Sequence, residues 1–189
     1  MDHIIVRPAV EGDISSVISI EGQLREDRPT AEDEGFLLSG GDTPESYAEF
    51  VSYRSFYVAV AKEDVVGFAF ALPPGSTRLA RLKAIKEKFR LEKEKDVFDR
   101  PEVAWMAKIG VAPAFMRQGI GGRLYLSVLT PHPEWHTVTT TVFSPLRNLP
   151  SEQFHEKLGF EPIGNLPLGN RGTLSNVSCR VHYRSPRSA

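Results

Sequence analysis

A chain of 189 residues can bury a core of its own, and 41% hydrophobic with 25% charged residues is the composition of a globular protein. A formal net charge of -1 excludes a global field that would gather nucleic acid or anionic lipid, so an anionic ligand needs a local device to hold it. The single cysteine, Cys179, excludes an internal disulfide and a metal site built on cysteine pairs; it reads as a small hydrophobe in a strand, and a cytoplasmic setting is expected.

Met1 to Pro8 has no basic stretch followed by a long apolar run, so no signal peptide is expected, and no apolar run is long enough for a membrane span. Ile4 to Arg7 is β-branched and ends at Pro8, which predicts a strand. Asp13 then stands as an N-cap before Ile14, Val17, Ile18 and Leu24, one face of a helix. Glu26 to Asp42 is polar around the apolar island Phe36-Leu37-Leu38 and reads as a long, functional loop. Thr43-Pro44 opens a helix to about Tyr53. Phe56 to Val60 and Val65 to Phe70 form a hairpin around Glu63-Asp64.

From Ser76 to Arg100, the residues Leu79, Leu82, Ile85 and Phe89 recur at helical spacing among Lys, Arg and Glu, which predicts an inserted amphipathic helix. Its charged face is the one feature that would suit nucleic acid, although acidic residues interleave with the basic ones. Val103 to Val111 is a strand, Gly119 to about Leu129 a helix, and Thr137 to Phe143 a strand. A helix begins at Pro150 or Ser151 and ends at Gly159, followed by strands at Phe160 to Ile163 and Leu174 to Tyr183. With no repeat and no linker, residues 1–189 are expected to form a single domain with a frayed tail over 184–189.

The segment richest in chemistry runs from Ile109 to Tyr125, where a strand feeds a helix through Gly119, Gly121 and Gly122. Such a turn presents free N–H groups at the positive end of a helix and suits a pyrophosphate, with Arg117 and Arg123 adding charge. A dinucleotide fingerprint needs a small residue where Leu124 stands, and a nucleotide P-loop needs Gly-Lys-Ser/Thr, which is missing. A purely structural glycine turn stays open on this segment alone.

Val111-Ala112-Pro113, then Arg117-Gln118-Gly119-Ile120-Gly121 at the head of a helix, resembles the acetyl-CoA signature of the Gcn5-related N-acetyltransferases, Gln/Arg-x-x-Gly-x-Gly/Ala, with Met116 at its first position. Asn148 through Phe160 is similar to that family's second signature, with His155 where a tyrosine often serves as general acid. The resemblance implies an α/β (α+β) fold: a mixed, mostly antiparallel sheet of six to seven strands, flanked by helices, with a splay between the Val103–Val111 and Thr137–Phe143 strands. It implies acetyl-CoA as acyl donor, no metal, and direct attack by an amine. The pantetheine arm is expected along Ile109, Gly110 and Val111, the pyrophosphate on Arg117, Gln118, Gly119, Ile120, Gly121 and Gly122, and Asn148 beside the cofactor.

His155 is then expected to protonate the leaving thiolate, since an imidazole titrates near neutral pH. Glu102, at the start of the Val103–Val111 strand, is expected as general base or as a solvated strand-end charge, with Glu21 and Glu34 as further candidates on the acceptor side. The acceptor is a small-molecule or protein amine, with neither nucleic acid nor membrane as partner; a homodimer is compatible. Two other readings stay open: a CoA-binding sensor without catalysis, suggested by Met116 and the missing tyrosine, and a nucleic-acid-associated domain using the Ser76–Arg100 helix.

Overall fold

The computed structural model describes residues 3–38 and 42–186. Its eight strands form one sheet in the order β1-β2-β3-β5-β6-β8-β7-β4. They are β1 (Ile4–Pro8), β2 (Phe56–Ala61), β3 (Asp64–Leu72), β4 (Arg90–Leu91), β5 (Val103–Val111), β6 (His136–Ser144), β7 (Glu161–Arg171) and β8 (Leu174–Arg184). Every pairing is antiparallel except β5 with β6. The helices are α1 (Ile14–Gln23), α2 (Ala31–Glu34), α3 (Pro44–Ser52), α4 (Thr77–Lys83), α5 (Ile120–Leu129) and α6 (Leu149–Lys157).

Strand β3 shows how the two faces are built. Phe68, Phe70 and Leu72 point to one face, where Val17 and Ile20 of α1 and Tyr47 and Phe50 of α3 pack on them. Ala69 and Ala71 point to the other, where short side chains let Ile120, Leu124, Tyr125 and Val128 of α5 come close to the sheet. Phe50 stacks on Phe70 with ring centroids 4.7 Å apart. Burying one such ring contributes roughly 1.5–3 kcal/mol.

The eighth strand comes from the region expected as a long helix. Ser76 caps α4, accepting the Leu79 N–H at 3.4 Å, but the helix stops after Lys83. The apolar residues beyond it serve a different geometry. Phe89 and Phe98 lie 4.5 Å apart and both meet Trp105, an aromatic cluster that a continuous helix with that spacing would not assemble. Between them Arg90 and Leu91 pair with Asn165 and Gly164. A Cβ on Gly164 would stand 2.3 Å from the Arg90 carbonyl oxygen, so only glycine admits this edge. The nucleic-acid reading therefore loses the helix on which it rested.

Other boundaries move for identifiable reasons. Strand β7 continues to Arg171 because irregularities at Pro162/Gly164, Pro167/Gly169 and Gly169/Arg171 absorb residues that ordinarily break a strand. The loop after α1 contains the single turn α2, and Leu37 bridges to Arg25. Asp13 stands at the N-cap of α1 but its side chain makes no capping bond there; its carboxylate accepts Arg7 at 2.7 and 2.8 Å and the Val10 N–H at 2.9 Å. In the tail, Arg184 ends β8, and the expectation for 187–189 lies outside the described residues.

Candidate active site

Parallel pairing between β5 and β6 covers only Val103, Ala104 and Trp105, opposite His136, Thr137 and Val138. Beyond it the strands diverge, and the apex is tied by Thr139 Oγ1 donating to the Met106 carbonyl at 2.9 Å. On its other edge β5 slips against β3, where Phe70 faces Lys108 but Ala71 faces Met106, leaving Ala107 as the extra residue of a bulge. From Met106 to Val111 the β6-facing edge of β5 is consequently unpaired with β6, and its alternate backbone groups are open to an extended ligand. The wedge is a cleft of about 590 Å³.

One end of the cleft is made of backbone. The turn after β5 runs through Pro113–Phe115 and reaches α5 with Arg117 at φ +61° and Gly119, the N-cap, at φ +75°. The N–H groups of the first helical turn have no acceptor within the helix and carry its positive end. At Gly122 a Cβ would meet nothing within 4 Å, so this wall of the cleft is free space that a side chain would fill. At Gly121 a Cβ would press on the Phe154 ring at 3.3 Å. These residues fit a pyrophosphate held by main-chain groups.

The structure brings Ile109, Gly110, Val111, Arg117, Gly119, Ile120, Gly121, Gly122, Asn148 and His155 to this one cleft. Gln118 is in the turn but exposed and outside the lining. Arg123, expected to add charge, instead donates to the Ile4 carbonyl at 2.8 Å. Asn148 uses its side chain structurally: Oδ1 accepts the Ser151 N–H at 3.2 Å, and Nδ2 donates to the Phe36 carbonyl at 2.7 Å. It caps α6 and holds the loop after α1 against it.

Two expected roles change. Glu102 is exposed and outside the cleft, at the closed end where β5 and β6 pair. It is six residues from Lys108, roughly 20 Å along a strand rising about 3.3 Å per residue. His155 does line the cleft, but only 3% of it is exposed, and its Nδ1–H donates to the Ser151 carbonyl at 2.7 Å. Burial among Tyr125, Phe154 and Phe160 lowers its pKa to about 4, against the Ser151 bond, which favours the charged form. Near pH 7 the ring is neutral, its one hydrogen lies on Nδ1, and Nε2 has none to give. The side chain reaches the cleft, but this environment does not suit a proton donor.

The opposite end is made of side chains that are distant in sequence. Lys108 Nζ donates to Glu21 Oε1 at 2.5 Å and to Asp42 Oδ2 at 2.7 Å, and lies 5.7 Å from the Tyr47 ring centroid. Arg78 donates to Asp42 Oδ1 at 3.0 Å and Ser46 Oγ at 2.8 Å. Burial, helped by Glu21 and Asp42, raises the Tyr47 pKa, so that phenol stays protonated. Glu34 also lines the cleft, and its carboxylate is favoured by bonds from Thr30 and Arg28 and by the charge of Arg117 in the turn before α5. Thr139, Thr140 and Thr141 of β6 form the facing wall, with His182 behind Thr141. The alternating Thr-rich segment signalled a strand, and the family resemblance implied the splay that parts it from β5 beyond Val138.

The family model described as the acetyltransferase (GNAT) family matches residues 23–160. Among solved structures, Ard1 from Thermoplasma volcanium is similar, with 19% identity, a TM-score of 0.65, and coverage of 98% of this chain and 99% of that one. Naa50 from Arabidopsis thaliana, in complex with the bisubstrate analogue CoA-Ac-MVNAL, has 13% identity, a TM-score of 0.63, and coverage of 96% and 98%. A polyamine N-acetyltransferase from Drosophila melanogaster has 15% identity, a TM-score of 0.64, and coverage of 97% and 100%. At these identities the likeness is one of fold. No curated protein matches the chain in sequence.

Proposed function

We propose, from the premise that this chain belongs to the GNAT acetyltransferase family, that it is an N-acetyltransferase using acetyl-CoA and a small-molecule or protein amine. The observation that supports this reading best is the unpaired edge of β5 leading directly to the glycine turn at the head of α5. Backbone groups from Ile109 to Val111 would pair with the pantetheine arm as an added strand does. N–H groups at Gly119 to Gly122 would hold the pyrophosphate, with Arg117 adding charge at the mouth. Acetyl-CoA supplies an acetyl group already activated as a thioester.

The amine enters on the face that carries Glu21, Asp42 and Lys108. Those carboxylates replace Glu102 as the groups through which its proton leaves. A neutral amine then attacks directly, without a covalent intermediate on the enzyme. Similar folds that act on a polyamine or bind a peptide-bearing analogue keep both acceptor classes in view. The neutral His155 favours one second reading, a CoA-binding sensor of the same fold that does not turn over.

Two measurements test this function. Acetyl-CoA at about 100 times its Kd is expected to stabilise the fold by about 2.7 kcal/mol, read as a rise in Tm. A panel of amines is then expected to contain at least one that releases free CoA. Stabilisation without release by any amine would leave the sensor; no stabilisation would remove both readings.

A further inference from the structure

An acetyl-transfer site needs a hydrogen-bond donor for the sulfur that departs, and His155 does not offer one. Three hydroxyls line the cleft near its apex, on Thr139, Thr140 and Thr141. The hydrogen of Thr139 is committed to the Met106 carbonyl at 2.9 Å. Thr140 is on the other face of β6, the face that carries the buried Cys179. Thr141 is on the α5 and α6 side, the side of the glycine turn, with Oγ1 2.8 Å from His182 Nε2. The acceptor-side groups Lys108, Glu21 and Tyr47 occupy the opposite face.

His182 has no exposed surface, and its ring is 6.0 Å from that of His155. Its Nδ1 has no hydrogen-bond partner among the described residues, and neither has the equally buried Glu152 Oε1. Glu152 Oε2 is engaged, accepting Arg147 Nε at 3.1 Å and Nη2 at 2.6 Å. Glu152 also acts electrostatically on His182. The one hydrogen of the neutral ring finds an acceptor at Nε2 and none at Nδ1, so Nε2 donates to Thr141 Oγ1. The hydroxyl's own hydrogen is then free to point into the cleft.

We propose that Thr141 donates its hydroxyl hydrogen to the sulfur of the acyl donor as the C–S bond breaks, and that His182 holds the hydroxyl in that orientation; both roles rest on the acetyl-transfer reading of the cleft. As the N–C bond forms, the C–S electron pair moves to sulfur, and the Thr141 hydrogen bond stabilises the charge without giving up the proton. The amine's proton leaves by way of the Glu21 and Asp42 carboxylates to solvent, and the sulfur takes one from water on release. Thr141 is thus a catalytic residue, and His182 is a positioning residue acting through it.

Calorimetric titration with CoA and with desulfo-CoA tests the contact without turnover, at a pH above about 8.5, where a free thiol is ionised. Wild type is expected to prefer CoA by about 10-fold or more, Thr141→Ser to keep most of that preference, and Thr141→Val and His182→Phe to lose it. An equal preference in wild type and Thr141→Val overturns the proposal. Should the valine variant fail to fold, an unchanged preference in His182→Phe overturns it instead. A wild type that binds neither compound overturns the reading of the cleft, and the proposal with it. In amine acetylation, Thr141→Val should lower kcat by about 10- to 100-fold at unchanged KM for acetyl-CoA. Ser151→Ala, which removes the cleft hydroxyl beside His155, should not. The reverse pattern assigns the sulfur contact to Ser151 and overturns the role of Thr141.

Discussion

The two ends of the cleft are built from different materials. At the head of α5 the wall is main chain: an unpaired strand edge, a left-handed Gly119 and an uncapped first turn. At the other end it is a knot of side chains, with Lys108 held by Glu21 and Asp42 from parts of the chain far apart in sequence. A backbone site tolerates most side-chain changes and fails when the chain cannot approach, whereas a side-chain site fails one residue at a time. The difference teaches that the two ends can vary independently, one with the path of the main chain and the other with single side chains.

Filling the backbone end should have the largest effect. Gly122→Val puts a side chain into space where a Cβ meets nothing, so the fold should survive while acetyl-CoA affinity falls by about 100-fold or more in calorimetry. It is a cleaner probe than Gly121→Val, which would also press on Phe154. Undiminished affinity would break the comparison, because the phosphate site would then be elsewhere.

His155 gives the next largest effect, on stability in acid. Burial lowers its pKa to about 4, below the unfolded reference near 6.5, so between these values the unfolded chain binds the extra proton. Its contribution is therefore complete above about pH 6.5 and is lost as the pH falls towards 4, on the order of 3 kcal/mol. His155→Phe should remove its part of that acid limb in denaturant unfolding, leaving the part from His182, whose pKa burial also lowers to about 4, and keep kcat within several-fold. A large loss of kcat would restore the histidine to the chemistry.

At the side-chain end, Lys108→Met leaves Glu21 and Asp42 without their shared partner. Because the three side chains keep 16–19% of their exposure, the expected loss is about 1–2 kcal/mol of stability, less than for a fully buried pair. Acetyl-CoA affinity should change by less than about twofold while KM for the amine rises. An equal loss at both ends would show that they are coupled.

Much of this architecture could be read from residues in order. Val103 to Val111, the glycine turn and the α6 signature carry local information, because period, turn chemistry and capping act over a few neighbours. The Lys108 cluster was out of reach, since Glu21, Asp42 and Tyr47 meet it only after α1 and α3 have packed on the sheet. The error at Ser76–Arg100 had the same origin: a stripe of Leu and Phe at helical spacing satisfied the local pattern, while the aromatic cluster with Trp105 decided the outcome. His155 lines the cleft, but its ionisation depends on burial, which no local pattern reports.

The unpaired edge of β5 has a further consequence for solubility. A row of free backbone groups is ordinarily a template for another protein's strand, and natural sheets hide such edges. Here the edge lies in the middle of the sheet and faces a wedge that closes to a 2.9 Å hydrogen bond at Thr139 and Met106. A polypeptide strand carries a side chain about every 3.3 Å and would jam before it had paired far. A slim, unbranched chain with only a few amides would not. A narrowing that would admit such a chain would also bar a second protein strand from the open edge.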